Sequence, residues 1–290
     1  MSGDAERRDL TIVANKVGAG ADVLGFDFDT MPSHQVGALR SAWLKYGILR
    51  FRGYDLTDEH QLNFLKREED GAPTTYKDDE KVTVMTNLIN GVPSGAGSNV
   101  ELEWHTDSWF WEYPPVGEIL RAMELPQTGG DTYWADMYAV YDALPEDLRS
   151  TIEGRLIQFD TVYNGHGNLR KGKEAPKTDD FRLWEHIRHP IIRTHPESGR
   201  KAVFVGQSKH EKNWIVGLPL EESKEILAKI LSYVEKPEFQ LHQKWQPGDT
   251  VIWDNRCTMH RRETWPDDQT RIMHRTTCNT KGQPRPFYVY

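Results

Sequence analysis

The feature that most constrains the fold of this chain is a series of short β-branched and aromatic runs, each bounded by glycine, proline or aspartate. Each run has the length of one strand, and the residues between runs favour turns. The clearest runs are GILRFRG (47–53), KVTVMT (81–86), GEILRAMEL (117–125), GDTYWAD (130–136), HPIIRTH (189–195), KAVFVG (201–206), EFQLHQKW (238–245), GDTVIWDN (248–255) and TRIMHRTT (270–277). Many short strands separated by turns are typical of a sandwich, a barrel or a jelly roll.

Helical periodicity is present but secondary to the strand pattern. Apolar residues recur at spacings of three and four in the segments 33–46, 58–68, 135–154 and 219–235, with an interruption at Pro145 in the third. The sequence contains no internal repeat, low-complexity tail or linker that would divide it. We therefore predict a mainly β core with flanking helices, in a single domain over residues 1–290.

Composition limits the classes of partner. The formal net charge of −8 argues against nucleic acid and anionic membranes, because both require clustered lysine and arginine. A small molecule is the expected partner. The two cysteines, Cys257 and Cys278, are interpreted as small buried residues, and such low cysteine content fits a reducing compartment. Without a signal peptide or a long apolar run, the chain is expected to be cytoplasmic. Assembly into a homo-oligomer stays open.

The stretch ELEWHTDSWFWEYPP (101–115) places two strongly hydrated groups, His105 and Asp107, among aromatic residues. If this stretch is a strand or a strand end, the two side chains share one face about 6.6 Å apart and can converge on one ion. A catalytic metal centre usually needs a third protein ligand. The motif alone is weak, because His195 and Glu197 repeat the spacing. We interpret that second copy as a turn between two strands.

Residues 248–277 supply the remaining candidates. A strand is predicted to end at the polar pair Asp254-Asn255, His260 follows, and the run TRIMHRTT then forms another strand. On that strand Arg271 and Arg275 share one face, about 13 Å apart. If this face points inward, each arginine needs an anion, so two anionic groups would bind at separate subsites. The alternative is that the opposite face points inward and both arginines are solvated.

At this point the sequence resembles a known family of enzymes. The segments that carry the resemblance, in order along nearly the whole chain, are GADVLGFDFDTM, ILRFRGYDLTDEHQLNF, WHTD, LPQTGGDTYWADMYAVYDALP, RTHPESGRKAVFVG, WDNRCTMH and RIMHRTT. They resemble the taurine dioxygenase and 2,4-dichlorophenoxyacetate dioxygenase (TauD/TfdA-like) family of Fe(II)- and 2-oxoglutarate-dependent oxygenases. The resemblance implies a double-stranded β-helix core (a jelly roll, cupin-like), Fe(II) as cofactor, and 2-oxoglutarate and O₂ as co-substrates.

The resemblance also implies roles for individual residues. His105, Asp107 and His260 match the family's iron ligands, a facial triad that leaves three positions open. Arg271 matches the arginine that pairs with the distal carboxylate of 2-oxoglutarate, and Thr132 matches its hydroxyl partner. Arg275 matches the position that holds the anionic group of the substrate in several family members. Since both arginines then have an anion, the resemblance favours the inward orientation of their strand.

Residues expected at the substrate pocket are Phe110, Glu101 and Tyr76; Glu101 and Tyr76 lie in regions where the chain departs from the family pattern. An acid at Glu101 beside Arg275 would suit a zwitterionic substrate, and the alternative is a solvated glutamate next to Glu103. Tyr76 either approaches the pocket or is a solvent-facing loop residue. Phe110 is expected to line the site, whereas the tryptophans on either side of it are expected to pack.

The reaction implied by the resemblance is oxidation of a C–H bond in a small anionic organic molecule, coupled to decarboxylation of 2-oxoglutarate to succinate and CO₂. Hydroxylation is the usual outcome in the family. Desaturation, cyclisation or another oxidative rearrangement in a biosynthetic pathway is the alternative within the enzyme class. An alternative from another class is a non-catalytic jelly-roll sensor of a metal or a metabolite.

Overall fold

The structure of the protein is a computed structural model that describes residues 9–66, 82–93, 99–163, 168–208 and 212–278. The strands are β1 (Thr11–Ala14), β2 (Ala21–Leu24), β3 (Ile48–Phe51), β4 (Thr83–Thr86), β5 (Leu88–Ile89), β6 (Val92–Pro93), β7 (Leu102–His105), β8 (Gly117–Glu124), β9 (Thr132–Asp136), β10 (Leu156–Asp160), β11 (His186–Pro190), β12 (Ile192–Thr194), β13 (Lys201–Val203), β14 (Trp214–Ile215), β15 (Gln240–Gln243), β16 (Thr250–Asp254), β17 (Thr258–Arg262) and β18 (Ile272–Cys278). The helices are α1 (Ser33–Tyr46), α2 (Asp58–Lys66), α3 (Met137–Ala143), α4 (Glu146–Ile152) and α5 (Leu220–Val234).

Two sheets form the core. The larger has seven strands in the order β1-β2-β3-β16-β8-β18-β4, and the smaller has four in the order β15-β9-β17-β7. Between them lies an apolar cluster to which the smaller sheet contributes Trp134 and Leu241, and the larger sheet contributes Val251, Trp253 and Met273. Two facing, largely antiparallel sheets are the arrangement of a jelly roll. The predicted mainly β core is therefore confirmed.

Helices cover the outer faces of both sheets, as predicted. Leu39 and Trp43 of α1 pack on the larger sheet, and α1 ends where Gly47 adopts a left-handed conformation with φ of 69°. Met137 of α3 and Ile230 of α5 belong to the cluster that covers the smaller sheet. Because side chains alternate across a strand, the residues between these outward contacts point into the space between the sheets.

Most predicted elements are present. The segment 33–46 forms α1, and the segment 135–154 forms two helices that break at Pro145, which precedes α4. The predicted helix 58–68 is seen as far as Lys66, beyond which residues 67–81 lie outside the described ranges. The run 189–195 is divided between β11 and β12 rather than forming one strand. Within the described ranges, no helix combines the length and apolarity needed to cross a membrane.

A buried ionic network fixes the end of β16. The carboxylate of Asp254, which is fully buried, accepts hydrogen bonds from Arg256 Nη2 at 2.7 Å and from His195 Nε2 at 3.0 Å. Both nitrogens of His195 are engaged, since Nδ1 accepts from the backbone N–H groups of Glu197 and Ser198. The interpretation of His195 as part of a turn is confirmed. Burial alone would raise the pKa of Asp254, but Arg256 and His195 outweigh it and hold that pKa well below its usual range.

Replacing this carboxylate should destabilise the fold. We expect Asp254→Ala to lower the free energy of unfolding by about 3–5 kcal/mol, because it removes the fully buried counter-ion of Arg256 and leaves that arginine with only the partly exposed Glu197. Since the folded pKa is depressed, the wild-type contribution is complete above the unfolded value of about 4 and is lost as the pH falls through the folded pKa. Urea unfolding at several pH values measures both effects. Glu153→Gln, which breaks the exposed pair with Lys201, is the control and should change stability little.

Candidate active site

His105 and Asp107 meet a third side chain, that of His260, which is remote from them in sequence. The ligand atoms of His105, Asp107 and His260 all lie within 4.8 Å of one another. Antiparallel pairing of β7 with β17 places His260 directly opposite His105, and their ring centroids are 4.1 Å apart. The carboxylate of Asp107 lies 3.6 Å from His105 Nε2 and 3.4 Å from His260 Nε2. The structure thus brings together all three residues that the sequence nominated as metal ligands.

Asp107 reaches the cluster through a turn rather than along a strand. β7 ends at His105, and Ser108 adopts a φ of 50°. The side chain of Asn255 holds this turn, because its Oδ1 accepts from the backbone N–H of Asp107 and its Nδ2 donates to the carbonyl of Asp107, both at 3.0 Å. Asn255 also donates to the carbonyl of Pro115 at 3.1 Å. The sequence prediction did not identify this residue, although the polar pair at the end of β16 marked its position.

The donor atoms are oriented as a metal site requires. The Nδ1 of His105 lies 2.7 Å from the carbonyl oxygen of Glu103, so Nδ1 carries the proton and Nε2 presents its lone pair to the cluster. The ring of His260 packs against Trp253, with ring centroids 5.1 Å apart. Oδ2 of Asp107 is buried and has no hydrogen-bond partner in the part of the chain that the structure describes. Two imidazoles and a buried, unsatisfied carboxylate oxygen fit a divalent metal ion.

The protonation states agree with this donor set. Burial, together with His105, lowers the pKa of His260 to about 3, so its ring is neutral near pH 7. Burial tends to raise the pKa of Asp107, but the neighbouring His260, His105 and Arg275 outweigh it and hold that pKa below its usual range. A neutral imidazole and an ionised carboxylate are the forms that bind metals.

A buried guanidinium lies immediately before β18. Arg271 is 4% exposed, its backbone N–H donates to Asn87 Oδ1 at 2.9 Å, and burial lowers its pKa to about 9. Among the described residues, neither Nε nor Nη2 finds a hydrogen-bond acceptor. Gly130 makes room for this side chain, because a Cβ at that position would lie 3.3 Å from Arg271 Cδ. A buried cation with unsatisfied donors is suited to an anionic ligand.

Thr132 lies at the start of β9, on the face that points between the sheets. Thr132 pairs with Arg262 of β17. Trp134, two residues further along β9, pairs with His260. The hydroxyl of Thr132 is buried and accepts a hydrogen bond from Trp245 Nε1 at 3.0 Å. The predicted hydroxyl partner therefore lies on the same inward face as the metal ligand His260.

The orientation of β18 is also settled. His274 bonds to Asp58 at 2.7 Å and Thr276 accepts from Gln61 at 3.1 Å, so both residues face α2 on the outer side. Met273 is fully buried in the cluster between the sheets. Arg275 consequently points inward, where its charge contributes to lowering the pKa of Asp107. Of the two orientations considered from the sequence, the structure has the one that turns the arginines inward.

The acid beside Arg275 is not Glu101, the residue that the sequence suggested. Glu101 is half exposed and lies 3.7 Å from Arg261. The acid beside Arg275 is instead Glu118 of β8, which is 2% exposed and has its Oε2 3.4 Å from Arg275 Nη1. Sequence reasoning missed Glu118 because it lies inside a run interpreted as an apolar strand. The feature that could have identified Glu118 is that it is a charged residue at an inward position of that strand.

The remaining pocket candidates lie near the turn or outside the described ranges. Phe110 is half-buried and packs edge-on against Trp109, with ring centroids 5.2 Å apart, while the guanidinium of Arg170 lies 3.5 Å from its ring centroid. Trp109 is buried as expected, but the expectation that Trp111 packs was wrong, since Trp111 is half exposed. Tyr76 lies outside the described residues.

Two histidines and one carboxylate that converge inside a jelly roll are the donor set of the class of non-haem Fe(II) oxygenases. Comparison with known proteins agrees with this class. The family described as "Taurine catabolism dioxygenase TauD, TfdA family" matches residues 8–277. The chain belongs to that family, and it is an Fe(II)- and 2-oxoglutarate-dependent dioxygenase.

Individual relatives cover most of the chain. An (S)-phenoxypropionate/alpha-ketoglutarate-dioxygenase from Sphingobium herbicidovorans is 32% identical over 247 residues, which are 81% of this chain and 83% of the relative. An alpha-ketoglutarate-dependent sulfate ester dioxygenase from Pseudomonas putida is 30% identical over 277 residues, 93% of this chain and 88% of the relative. The crystal structure of AAD-2 in complex with Mn(II) and N-oxalylglycine superimposes with a TM-score of 0.78 at 26% identity, over 95% of this chain and all of that one. The jelly-roll fold implied by the sequence resemblance is confirmed.

Removing the side chain that holds the Asp107 turn should weaken metal binding. We expect Asn255→Ala to reduce affinity for Mn(II) about 10- to 100-fold, because the carboxylate ligand loses its orientation. Calorimetric titration with Mn(II) measures the change. Asn15→Ala, which removes a side-chain bond to the Ala19 carbonyl in the β1–β2 turn, is the matched control. Equal Mn(II) affinity in both variants would contradict the positioning role.

Proposed function

We propose that His105, Asp107 and His260 bind the catalytic Fe(II), that Arg271 and Thr132 bind 2-oxoglutarate, and that the enzyme oxidises a C–H bond of a small anionic substrate held by Arg275. The observation that carries this proposal is the convergence of three oriented donors beside a buried guanidinium with unsatisfied N–H groups. When bound, Fe(II) with 2-oxoglutarate and O₂ supplies the oxidation of the substrate and the decarboxylation of 2-oxoglutarate to succinate and CO₂.

The protein residues hold and orient the reactants. Arg271 presents N–H donors to the distal carboxylate of 2-oxoglutarate, and burial strengthens this charge-assisted interaction. Thr132 offers its hydroxyl from β9, the strand that pairs with the one carrying His260. A short dicarboxylate anchored at its far end has a fixed orientation, which directs its keto acid end toward the metal ligands.

Aromatic walls keep water away from the reacting groups. Trp134 and Trp253 are buried, and their ring centroids lie 6.2 Å and 5.1 Å from that of His260. Exclusion of water protects reactive species from side reactions.

The proposed substrate carries an acidic group that meets Arg275, in accord with relatives named for phenoxypropionate and sulfate esters. A second, positively charged group would make the substrate zwitterionic. Hydroxylation is the proposed outcome. Product mass separates hydroxylation, which adds one oxygen, from desaturation or cyclisation, which removes two hydrogens.

We further propose that residues 1–290 form one oxygenase domain, as the family match over 8–277 supports. A cytoplasmic location is proposed from the two cysteines, both of which are free and buried. Light scattering tests whether the protein forms a homo-oligomer, which the sequence leaves open.

The metal assignment predicts a spectroscopic signal. Under anaerobic conditions, Fe(II) and 2-oxoglutarate should together give the wild-type protein a weak visible charge-transfer band. His260→Ala should lose this band and abolish succinate production, because one of three ligands is removed. His34→Ala, at an exposed position of α1, should retain both signals. A band of unchanged intensity in His260→Ala would refute the assignment.

The co-substrate assignment predicts a selective loss of affinity. Arg271→Ala should weaken binding of 2-oxoglutarate at least tenfold, since a buried charged hydrogen bond contributes about 1.5–3 kcal/mol. Mn(II) affinity should stay near the wild-type value. Calorimetric titration of 2-oxoglutarate into Mn(II)-loaded protein measures the effect, with Arg149→Ala in the exposed α4 pair as control. Unaltered 2-oxoglutarate affinity would remove Arg271 from the site.

A further inference from the structure

A cleft of about 460 Å³ lies beside the turn that carries Asp107. Its aromatic walls are Phe110 and Trp111 of that turn, and two of its basic residues are Arg170 and Lys171, in the segment between β10 and β11. Pockets of about 300–1,000 Å³ that combine apolar walls with a few polar groups are typical sites for small molecules. The proposed binding of metal, 2-oxoglutarate and substrate uses neither of these basic residues.

A buried tryptophan stands between this cleft and the metal ligands. The ring centroid of Trp109 lies 6.3 Å from that of His105 and 5.2 Å from that of Phe110. Trp109 is 9% exposed. The lining of the cleft includes Phe110 but none of the three proposed metal ligands. The cleft is therefore a space of its own, next to the Asp107 turn but separate from the metal centre.

The guanidinium of Arg170 is arranged to bind an anion. Its central carbon lies 3.5 Å from the ring centroid of Phe110, so that the group stacks on the ring face. Within the described ranges, its Nε donates to the Tyr163 carbonyl at 3.1 Å, and Nη1 and Nη2 meet no acceptor. Burial lowers the pKa of Arg170, which the charge of Asp160 opposes. A stacked, partly desolvated guanidinium with two terminal nitrogens available can bind both oxygens of a carboxylate.

The charges on the lining of the cleft leave a positive excess. Lys173 pairs with Glu185, which leaves Arg170 and Lys171 as the other two charged side chains there. Asp160, which acts on Arg170 from outside the lining, also lies 3.7 Å from a lysine. A protein with a net charge of −8 thus has a locally basic cleft, and such a cleft favours an anionic ligand.

The apolar side of the cleft suits an aromatic ring. Trp111 is 50% exposed, and covering its ring with a ligand would remove apolar surface from water. The backbone at this position is held in place, because His189 Nε2 donates to the Trp111 carbonyl at 2.9 Å. Ile187 adds an aliphatic side chain to the lining. A ligand ring can therefore stack on Trp111 and pack against Ile187.

We propose that this cleft is a second ligand site that binds an aromatic carboxylic acid, with the carboxylate on Arg170 and Lys171 and the ring on Trp111. The inference goes beyond the proposed function and does not rest on it. An acid can bind there while 2-oxoglutarate occupies the space between the sheets.

The test uses 2-naphthoate as the probe. Calorimetry measures its binding to protein loaded with Mn(II) and 2-oxoglutarate, so that the proposed co-substrate site is already filled. The wild type should bind 2-naphthoate with a Kd of about 1 mM or tighter. It should bind 2-naphthalenemethanol, which lacks the charge, and acetate, which lacks the ring, about tenfold more weakly.

Two substitutions remove the two halves of the site. Arg170→Gln should weaken binding of 2-naphthoate about tenfold, toward the affinity of the alcohol, and Trp111→Ala should weaken it about fivefold. The matched controls are Lys229→Ala on the exposed face of α5 and Tyr113→Ala, an exposed aromatic residue outside the lining. Both controls should bind 2-naphthoate as the wild type does.

A second basic variant keeps the test decisive if Arg170→Gln does not fold by circular dichroism. Lys171 is exposed, so Lys171→Ala should fold, and it should weaken binding of 2-naphthoate about threefold. The variant Arg275→Ala should bind 2-naphthoate with the wild-type affinity, because the proposed substrate arginine is not part of the cleft.

Three outcomes would overturn the proposal. The first is a wild type that does not bind 2-naphthoate, and the second is one that binds the alcohol equally well. The third is binding that Arg275→Ala abolishes while Arg170→Gln and Trp111→Ala leave it unchanged, since the acid would then bind at the proposed substrate arginine. Failure of the proposed function has a different sign, namely the absence of the visible band with Fe(II) and 2-oxoglutarate, and the titration of 2-naphthoate into protein without metal then decides.

Discussion

The antiparallel pairing of β7 with β17 is the constraint on which the rest of the site depends. It sets His105 opposite His260, although the two residues are 155 positions apart in the sequence. A slip of one residue would turn one imidazole to the outer face of the sheet, because side-chain direction alternates with period two. Regular pairing of β17 with β9 over five residue pairs opposes such a slip. The two histidines proposed as metal ligands are therefore positioned by paired strands, whereas Asp107 depends on a turn.

Charge compensation is the second theme of the interior. A buried charge is stabilised by an opposite charge, which either the protein or a ligand supplies, as expected from the high free energy of an isolated buried ion. Asp254 is compensated within the protein by Arg256. Arg271, by contrast, has donors left unsatisfied by the described residues. Asp254 and Arg256 form an ion pair that stabilises the fold, whereas Arg271 is proposed to bind an anionic ligand.

Sequence reasoning located the elements that depend on local pattern. The helix at 33–46 follows from its apolar spacing, the break at Pro145 from the loss of a backbone donor, and most strands from alternating or β-branched runs bounded by turns. The metal ligands were named through ordered motifs of a family, since HxD spacing alone also selected His195. What the sequence did not reveal were contacts between distant strands. The contacts of Asn255 and Glu118 are made with residues of other strands. The periodicity of a segment does not specify which strands lie beside it.

The two glycines before β9 have a consequence for natural variation in this chain. A methyl group at Gly129 would lie 2.3 Å from the carbonyl oxygen of Thr264, and one at Gly130 would press on the Arg271 side chain. Both residues also have positive φ, of 75° and 71°. A change to alanine or serine, which substitution matrices score as mild, would therefore disturb the backbone or displace the guanidinium.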